Sequence, residues 1–460
     1  MLFGMKIIRV FICLIALFLL LTASSTSHAD QIQAASNGPK NIILMIADGS
    51  GYQHFKTASC FLTGSSTGLV CDSFPLKLAV TTYSASGGGY DYQAAATNPA
   101  YVKMFPTDSA AAATAMATGR KTSNRSLGLD AEGRRLSNAV EVAASAGRVS
   151  GLITTVPLSH ATPAGFSAHL QDRDKYSGIA RQMLLESPLT VLMGAGHPDY
   201  DENGAARAVK NYDYVGGQEL WEALLQHQAA GMADGAGATS AWTVIDDKAA
   251  FIALATGRAP DRVLGVAPVF QTLQQGRTPS KDWNNDGKRD AMDEAVAPAF
   301  GDPFTQTVPT LAEMTRAALN VLDKHPRGFF LMIEGGAVDW AAHKNQAGRL
   351  IEEEAGFNEA IQAVCDWVEG HGGWDENLVV VTADHETGYL RVKDGPIEKG
   401  RMPLVGWGIK NHTNQPVPLF AKGRQAERLS DRIRLTDPVC GPTIDDTDIG
   451  RVLLDLLGRP

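Results

Sequence analysis

Cysteine is scarce in this chain, with five in 460 residues, and no two of them stand in a CxxC pair. That spacing argues against a thiolate zinc site. A basic excess is also missing, since 41 Lys and Arg face 50 Asp and Glu for a formal net charge of −9, so bulk electrostatics favour no nucleic-acid partner. Only one hydrophobic run is long, Val10 to Leu21, and no other segment could span a bilayer. There is no internal repeat, no long low-complexity tract and no GxSxG elbow around Ser109. What remains, 44% hydrophobic and 20% charged, is the composition of a globular enzyme-sized protein: one large α/β unit, or two or three ordinary domains.

The long run is itself informative. Lys6 and Arg9 precede it and Ser27-His28-Ala29 follows, which reads as a secretory signal peptide over residues 1–29 rather than a membrane anchor. The expectation is a mature chain of residues 30–460, periplasmic or secreted, without a stable membrane anchor. Cleavage near Ala29 removes two positive charges and no acid. Four cysteines then remain, and an even number in an exported protein favours two disulfides. Cys60 with Cys71 would close a Gly/Ser/Thr-rich loop and leave Cys365 for Cys440, although spacing does not prove that pairing.

Four apolar runs lead into candidate ligands: Asn41 to Asp48, Ser150 to Thr155, Gly328 to Gly336 and Leu378 to His385. Runs of Ile, Leu, Val and Phe without alternation read as strands buried on both faces of a parallel sheet, which gathers binding groups beyond its carboxyl edge. Asp48, Glu334, Asp384 and His385 therefore converge on one edge. Singly, each acid reads equally well as a helix cap or turn residue; four together do not. Between the runs lie Ala-rich helical stretches at Leu136 to Ala146, Leu311 to Asp323 and Arg349 to Val368. This is βαβ grammar, and the fold class is α/β: a large, mostly parallel central sheet with helices on both faces. Gly, Asp, Asn and Pro interrupt the rhythm at about 197–309, read as an insertion with its own short helices, and a shorter insertion runs over about 391–410. Ser84 to Ala96 reads as a surface loop.

Ser109 opens an Ala-rich helix closed by Gly119. A serine there either satisfies a free backbone N–H or, beside an anion-attracting helix terminus, serves as a nucleophile once its pKa is lowered. Metal activation is available. Asp339 and His343 stand four apart, on one face of a helical turn; Asp384 and His385 are adjacent on a strand exit; His412 supplies a further imidazole, or is merely solvated. Mixed His/Asp ligation suits zinc with an open coordination position. Separately, Asp282, Asn284, Asp286, Asp290 and Asp293, with Gly287, have EF-hand-like calcium spacing; the alternative is a solvated Asx-turn loop.

Taken in order, Asp48-Gly-Ser-Gly, Thr107-Asp-Ser109-Ala-Ala-Ala-Ala-Thr-Ala, His160-Ala-Thr162-Pro-Ala, His169 followed by Arg173, Glu334 to His343, Thr382-Ala-Asp384-His385-Glu-Thr and His412-Thr resemble the secreted bacterial alkaline phosphatases over essentially the whole mature chain. The resemblance implies hydrolysis of small-molecule phosphate monoesters through a covalent phosphoserine at Ser109, with two zinc ions and one magnesium. It implies that Asp339, His343 and His412 hold one zinc, that Asp48, Asp384 and His385 hold the other, and that Asp48, Thr162 and Glu334 hold magnesium. Arg173 would clamp two phosphate oxygens. A homodimer is also implied. His160 stands where the best-known enterobacterial pattern has an aspartate, and Trp340 where it has a lysine, a pairing similar to some marine and cold-adapted members. Rival readings are a phosphodiesterase or sulfatase of the same superfamily, the latter lacking its CxPxR context here, and an exported phosphate- or metal-binding protein without turnover.

Overall fold

The four apolar runs form strands because β-branched and large aliphatic side chains pack on both faces of a pleated sheet. The computed structural model describes residues 38–458 apart from 99, 230, 232–234, 236, 238 and 239. The signal-peptide segment, with Cys13, lies outside the described residues.

The main sheet contains β1 (Asn41–Ala47), β2 (Leu76–Thr81), β3 (Val149–Pro157), β4 (Val191–Ala195), β5 (Thr243–Ile245), β6 (Val263–Val266), β7 (Phe329–Gly335) and β8 (Asn377–Thr382). After the two-residue strands β9 (Glu386–Thr387), β10 (Arg391–Val392), β11 (Val405–Gly406) and β12 (His412–Thr413), it is completed by β13 (Val417–Gly423), β14 (Leu435–Asp437) and β15 (Gly441–Asp445). Its order is β14-β15-β2-β13-β8-β1-β7-β3-β4-β6-β5. The centre, β8-β1-β7-β3, is wholly parallel, while β13 runs antiparallel to β2 and β8.

Alternation along each central strand feeds two cores. Ile42, Leu44 and Ile46 of β1 join Phe330 and Met332 of β7 in one. Ile43, Met45 and Ala47 join Phe329, Leu331 and Ile333 in the other. Helices cover both. On the first face lie α2 (Ser109–Thr118) and α6 (Asp446–Leu457); on the second lie α1 (Tyr52–Thr63), α3 (Leu311–Asp323) and α5 (Ala347–Gly370), with α4 (Ala337–His343) between α3 and α5 in sequence. The Ala-rich α2 is buried along its whole length. It can be, because small side chains permit close approach: a Cβ on Gly450 of α6 would come within 2.5 Å of Ala115 O.

Register decides the geometry of the carboxyl edge. Ile46 lies opposite both Thr382 and Glu334, so Asp48 and Asp384 each stand two residues further on at equal height, and Thr154 lies opposite Glu334.

The stretch 197–309 does more than stand off the sheet, since it supplies β5 and β6 at one edge. It also meets α1, where Phe300 stacks on Phe61 at 5.9 Å, and the 391–410 stretch, where Ala299 N–H donates to the Met402 sulfur. The Ser84 to Ala96 loop expectation is amended by a short helix at Tyr92–Thr97. The disulfide expectation is corrected outright: Cys60, Cys71, Cys365 and Cys440 are all free. Cys60 and Cys71 are both buried, but on separate elements, α1 and a short 3-10 turn; Cys365 lies on α5 and Cys440 in the β14–β15 turn. Burial pushes the Cys365 thiol up to about 11 and the Cys440 thiol up to about 12. Among the described residues no helix is long and apolar enough to cross a membrane.

Leu44, at the centre of the first core with no exposed surface, offers a direct check of this architecture. Truncation to alanine should destabilise the fold by about 2–5 kcal/mol in denaturant unfolding; a loss below about 1 kcal/mol would mean the sheet is not covered on that face.

Candidate active site

Four elements deliver the acids and imidazoles. The β1 exit turns sharply at Gly49, whose φ is +76° and where a Cβ would come within 2.8 Å of Asp339, so only glycine lets α4 approach the Asp48 loop. The β7 exit continues into α4, which places Asp339 and His343 one turn apart with Oδ2 to Nε2 at 3.3 Å. The β8 exit presents Asp384 and His385. His412 arrives on β12, paired with β9 immediately after His385.

Two groups of three ligand-type residues result, Asp339 with His343 and His412, and Asp48 with Asp384 and His385, their candidate ligand atoms lying within 4.8 Å of one another in each group. The hydrogen bonds show which atoms face inward. His343 Nδ1 donates to Lys410 O at 2.8 Å and His412 Nδ1 donates to Thr107 O at 2.9 Å. A carbonyl oxygen only accepts, so each Nδ1 carries its proton and each Nε2 points at the cluster, the two Nε2 atoms lying 3.0 Å apart. Orientation of ligand imidazoles through the other ring nitrogen is the usual arrangement around a metal. His385 stacks on His412 at 3.6 Å; its Nε2 lies 3.2 Å from Asp384 and 3.3 Å from Ser109 Oγ.

Several buried polar atoms have no hydrogen-bond partner among the described residues: both oxygens of Asp48, Thr162 Oγ1, Glu334 Oε1, Asp384 Oδ2 and His160 Nδ1. Buried oxygens are not normally left so. The first five fit a site built for cations.

The electrostatics agree. Burial, reinforced by Asp384, Asp339 and Glu334, pushes the Asp48 carboxyl well up. Burial also raises Asp384 and Glu334 to about 7. Asp339 goes the other way: burial alone would raise it, but the hydrogen bond and positive charge of His343 hold it far below the carboxylate range. His343 is correspondingly raised to about 9 by Asp339 against the effect of burial. In effect a proton on His343 occupies the place a metal ion would take.

Ser109 is the first residue of α2, next to the N-cap Asp108, whose Oδ1 accepts from Ala111 N–H. The other oxygen of Asp108 accepts from Arg173 at 3.0 Å and from Arg125 N–H, tying the guanidinium to the serine's own turn. His160 packs edge-on to Trp340 at 5.7 Å and stacks near Tyr176 at 6.3 Å. Burial, with Arg173 nearby, pushes His160 down to about 3, so it is neutral.

The Asp282 loop is not drawn into a ligand cluster. Asp282 accepts from the N–H groups of Asp286 and Gly287, Asn284 and Asp286 accept from Asp286 and Lys288 N–H, Asp290 caps a short helix through Met292 N–H, and buried Asp293 accepts from Trp283, Asn284 and Asp290. Its four aspartates belong to neither group of three. Asx-turn hydrogen bonds thus shape the loop.

A family model described as alkaline phosphatase matches residues 39–400. The chain belongs to the alkaline phosphatase family. It is accordingly a phosphomonoesterase. It is 30% identical to the streptomycin-6-phosphate phosphatase of Streptomyces griseus, covering 90% of this chain and 92% of that one. It is also 30% identical to the alkaline phosphatase of Escherichia coli K12, covering 86% and 83%. In structure it superimposes on a cold-active alkaline phosphatase from a psychrophilic Shewanella species with TM-score 0.63 at 23% identity, covering 91% and 99%, a likeness that shows the shared fold.

Residues not singled out from the sequence support the ligands. Thr154 Oγ1 donates to Glu334 at 2.5 Å and Thr387 Oγ1 donates to Asp339 at 2.6 Å, while Ser50 Oγ, in the loop after Asp48, donates to Glu354, which lies outside the ligand groups. Thr387 sits inside the quoted Thr382 to Thr387 motif, so its position was visible; its role needed β9 placed beside α4.

Burial raises five carboxyls to about 7: Glu334, Glu353, Glu354, Asp384 and Glu386. A carboxyl raised from an unfolded value of about 4 favours folding at low pH, and loses that contribution as pH rises to 7. The metal-free protein should therefore melt at a lower temperature at pH 8 than at pH 5.5. At pH 8, Asp48→Asn should stabilise the chelated protein by about 1–3 kcal/mol, because it removes an unpaired buried charge. Thermal unfolding after chelation checks both, and a lower midpoint for Asp48→Asn would contradict the electrostatic account.

Proposed function

We propose that the chain hydrolyses phosphate monoesters by two successive displacements at phosphorus, through a phosphoserine on Ser109, with two zinc ions and one magnesium. The observation that carries the reading is Ser109 Oγ at the N-terminus of a buried helix, within hydrogen-bond reach of His385 in the ligand cluster. The donor sets fit. Asp339, His343 and His412 would hold one zinc, and Asp48, Asp384 and His385 the second, each set mixing carboxylate and imidazole with room for a further ligand. Asp48, Thr162 and Glu334 offer only oxygen, which suits magnesium. Bound there, the metals would supply Lewis acidity that lowers the pKa of a hydroxyl or water and offsets phosphoryl charge.

The chain's own residues do the rest. The free N–H groups of the first turn of α2 favour a dianionic phosphoryl group beside Ser109. Arg173, oriented by Asp108, offers its remaining donors to two phosphoryl oxygens. In the first displacement the Ser109 Oγ–P bond forms and the bond from phosphorus to the alcohol oxygen breaks, the alcohol leaving with a proton. In the second, a water oxygen bonds to phosphorus, the Oγ–P bond breaks, and Ser109 regains a proton as inorganic phosphate departs. Streptomycin 6-phosphate is itself a phosphate monoester, so the same chemistry would serve the substrate named for the Streptomyces relative.

His160 offers a ring nitrogen where magnesium prefers oxygen, so the third site would rest on Asp48, Thr162 and Glu334. His160→Asp should tighten magnesium by about tenfold or more in a calorimetric titration, since it adds a carboxylate oxygen to the set; unchanged affinity would place magnesium elsewhere.

Ser109→Ala should lower turnover of an aryl phosphate monoester on the order of 10³-fold or more, with zinc content retained. Full, chelator-sensitive monoesterase activity in that variant would overturn the phosphoserine route. Faster hydrolysis of the matching diester would favour a phosphodiesterase, and phosphate binding without turnover in the zinc-loaded wild type would favour a binding protein.

A further inference from the structure

Glu386 follows His385 directly, but its carboxylate is engaged away from the ligand atoms. It is 2% exposed and has two partners: Oε2 accepts from Thr413 Oγ1 at 2.5 Å, and Oε1 accepts from Leu390 N–H at 3.0 Å. It also borders a cavity of about 380 Å³ shared with Tyr52, Tyr90 and Asp437, whose lining includes neither Ser109 nor any residue of the two ligand groups. Glu386 thus touches no reacting atom.

It does touch three segments that carry ligands. It belongs to β9, whose neighbour Thr387 donates its N–H to Gly49 O in the Asp48 loop. It packs against that loop so closely that a Cβ on Gly51 would fall 2.5 Å from Glu386 Cγ. Through Thr413 it grips β12, where Thr413 lies opposite Glu386 and His412 opposite Thr387. His385 exits a six-residue central strand, β8, whereas His412 rides on a two-residue strand whose sheet partner is β9. One hydroxyl–carboxylate bond across a two-residue ladder therefore bears on where His412 Nε2 sits relative to Asp339 and His343.

We propose that Glu386 is a positioning residue for His412, holding β12 in register with β9 and so setting the metal affinity of the Asp339, His343 and His412 group but not that of the Asp48, Asp384 and His385 group. The assignment rests on the zinc reading given above. A carboxylate suits the position because it accepts from an O–H and an N–H at once; glutamine of the same shape keeps the Leu390 bond through its oxygen but must reverse the Thr413 bond, exchanging a charge-assisted one for a neutral, weaker one.

The test is zinc affinity of the full chain by competition with a chromophoric chelator, with unfolding of the metal-free form followed in parallel. Glu386→Ala should weaken one of two zinc sites by about 10–100-fold and leave the other within a few-fold, the range usual for loss of a residue that orients a ligand. Glu386→Gln should fall between alanine and wild type. Thr413→Val, which removes only the hydroxyl, should weaken the same site and covers the case in which Glu386→Ala does not fold. Two tight sites in wild type that remain unchanged in Glu386→Gln and Thr413→Val, or that weaken equally, would overturn the role of Glu386 alone. No tight zinc in wild type would overturn the metal reading itself, and this inference with it.

Discussion

Mutual repulsion among buried carboxylates is the constraint on which this molecule turns. Asp48, Glu334 and Asp384 have no exposed surface and Asp339 has 5%, yet they meet at one sheet edge. Burial pushes three of the four toward the protonated state, reinforced by like charge at Asp48 and Asp384, and the fourth is ionised through the charge of His343. Such a cluster is stable only with cations or protons inside it. The unpartnered oxygens show that the protein does not neutralise the charge with its own donors.

The surrounding structure answers by holding carboxylates in and around the cluster without cancelling their charge. Thr154 on Glu334, Thr387 on Asp339, Ser50 on Glu354 and Thr413 on Glu386 are all hydroxyls donating to carboxylates. A hydroxyl fixes an oxygen's direction and adds no net charge, so it orients a ligand and leaves its affinity for a cation intact. Lysine or arginine in the same places would have occupied the site.

The contrast lies beside α5, at Glu352, two residues before Glu354. There Arg277 and Arg349 meet Glu352 and Asp302 at 2.7–3.2 Å in a fully buried network that ties the 197–309 stretch to the helix. The acids here are paired within the protein, which suits a structural joint. The same residue types, buried to the same degree, serve opposite ends according to whether a basic side chain is within reach.

Much of this was legible beforehand. The strands ending at Asp48, Glu334 and Asp384 announce themselves because a strand buried on both faces is a continuous apolar run, and α3 appears at the residues its periodicity indicates. Ser109 is marked by the Ala-rich helix that follows it. The cysteines misled, because an even count says nothing of whether two sulfurs meet. The edge strands β5 and β6 were hidden inside a Gly- and Pro-rich stretch, since a three- or four-residue strand has no period to detect. By itself, then, the sequence determined the α/β class, the order of the motifs and the chemical kinds of ligand, all of which depend on local composition. Only the tertiary structure decided which nitrogen of each histidine faces the cluster, that Asp48 and Asp384 stand level, and that Thr154, Thr387 and Glu386 support the site. Those properties come from strand register and from contacts between segments hundreds of residues apart, which no local pattern encodes.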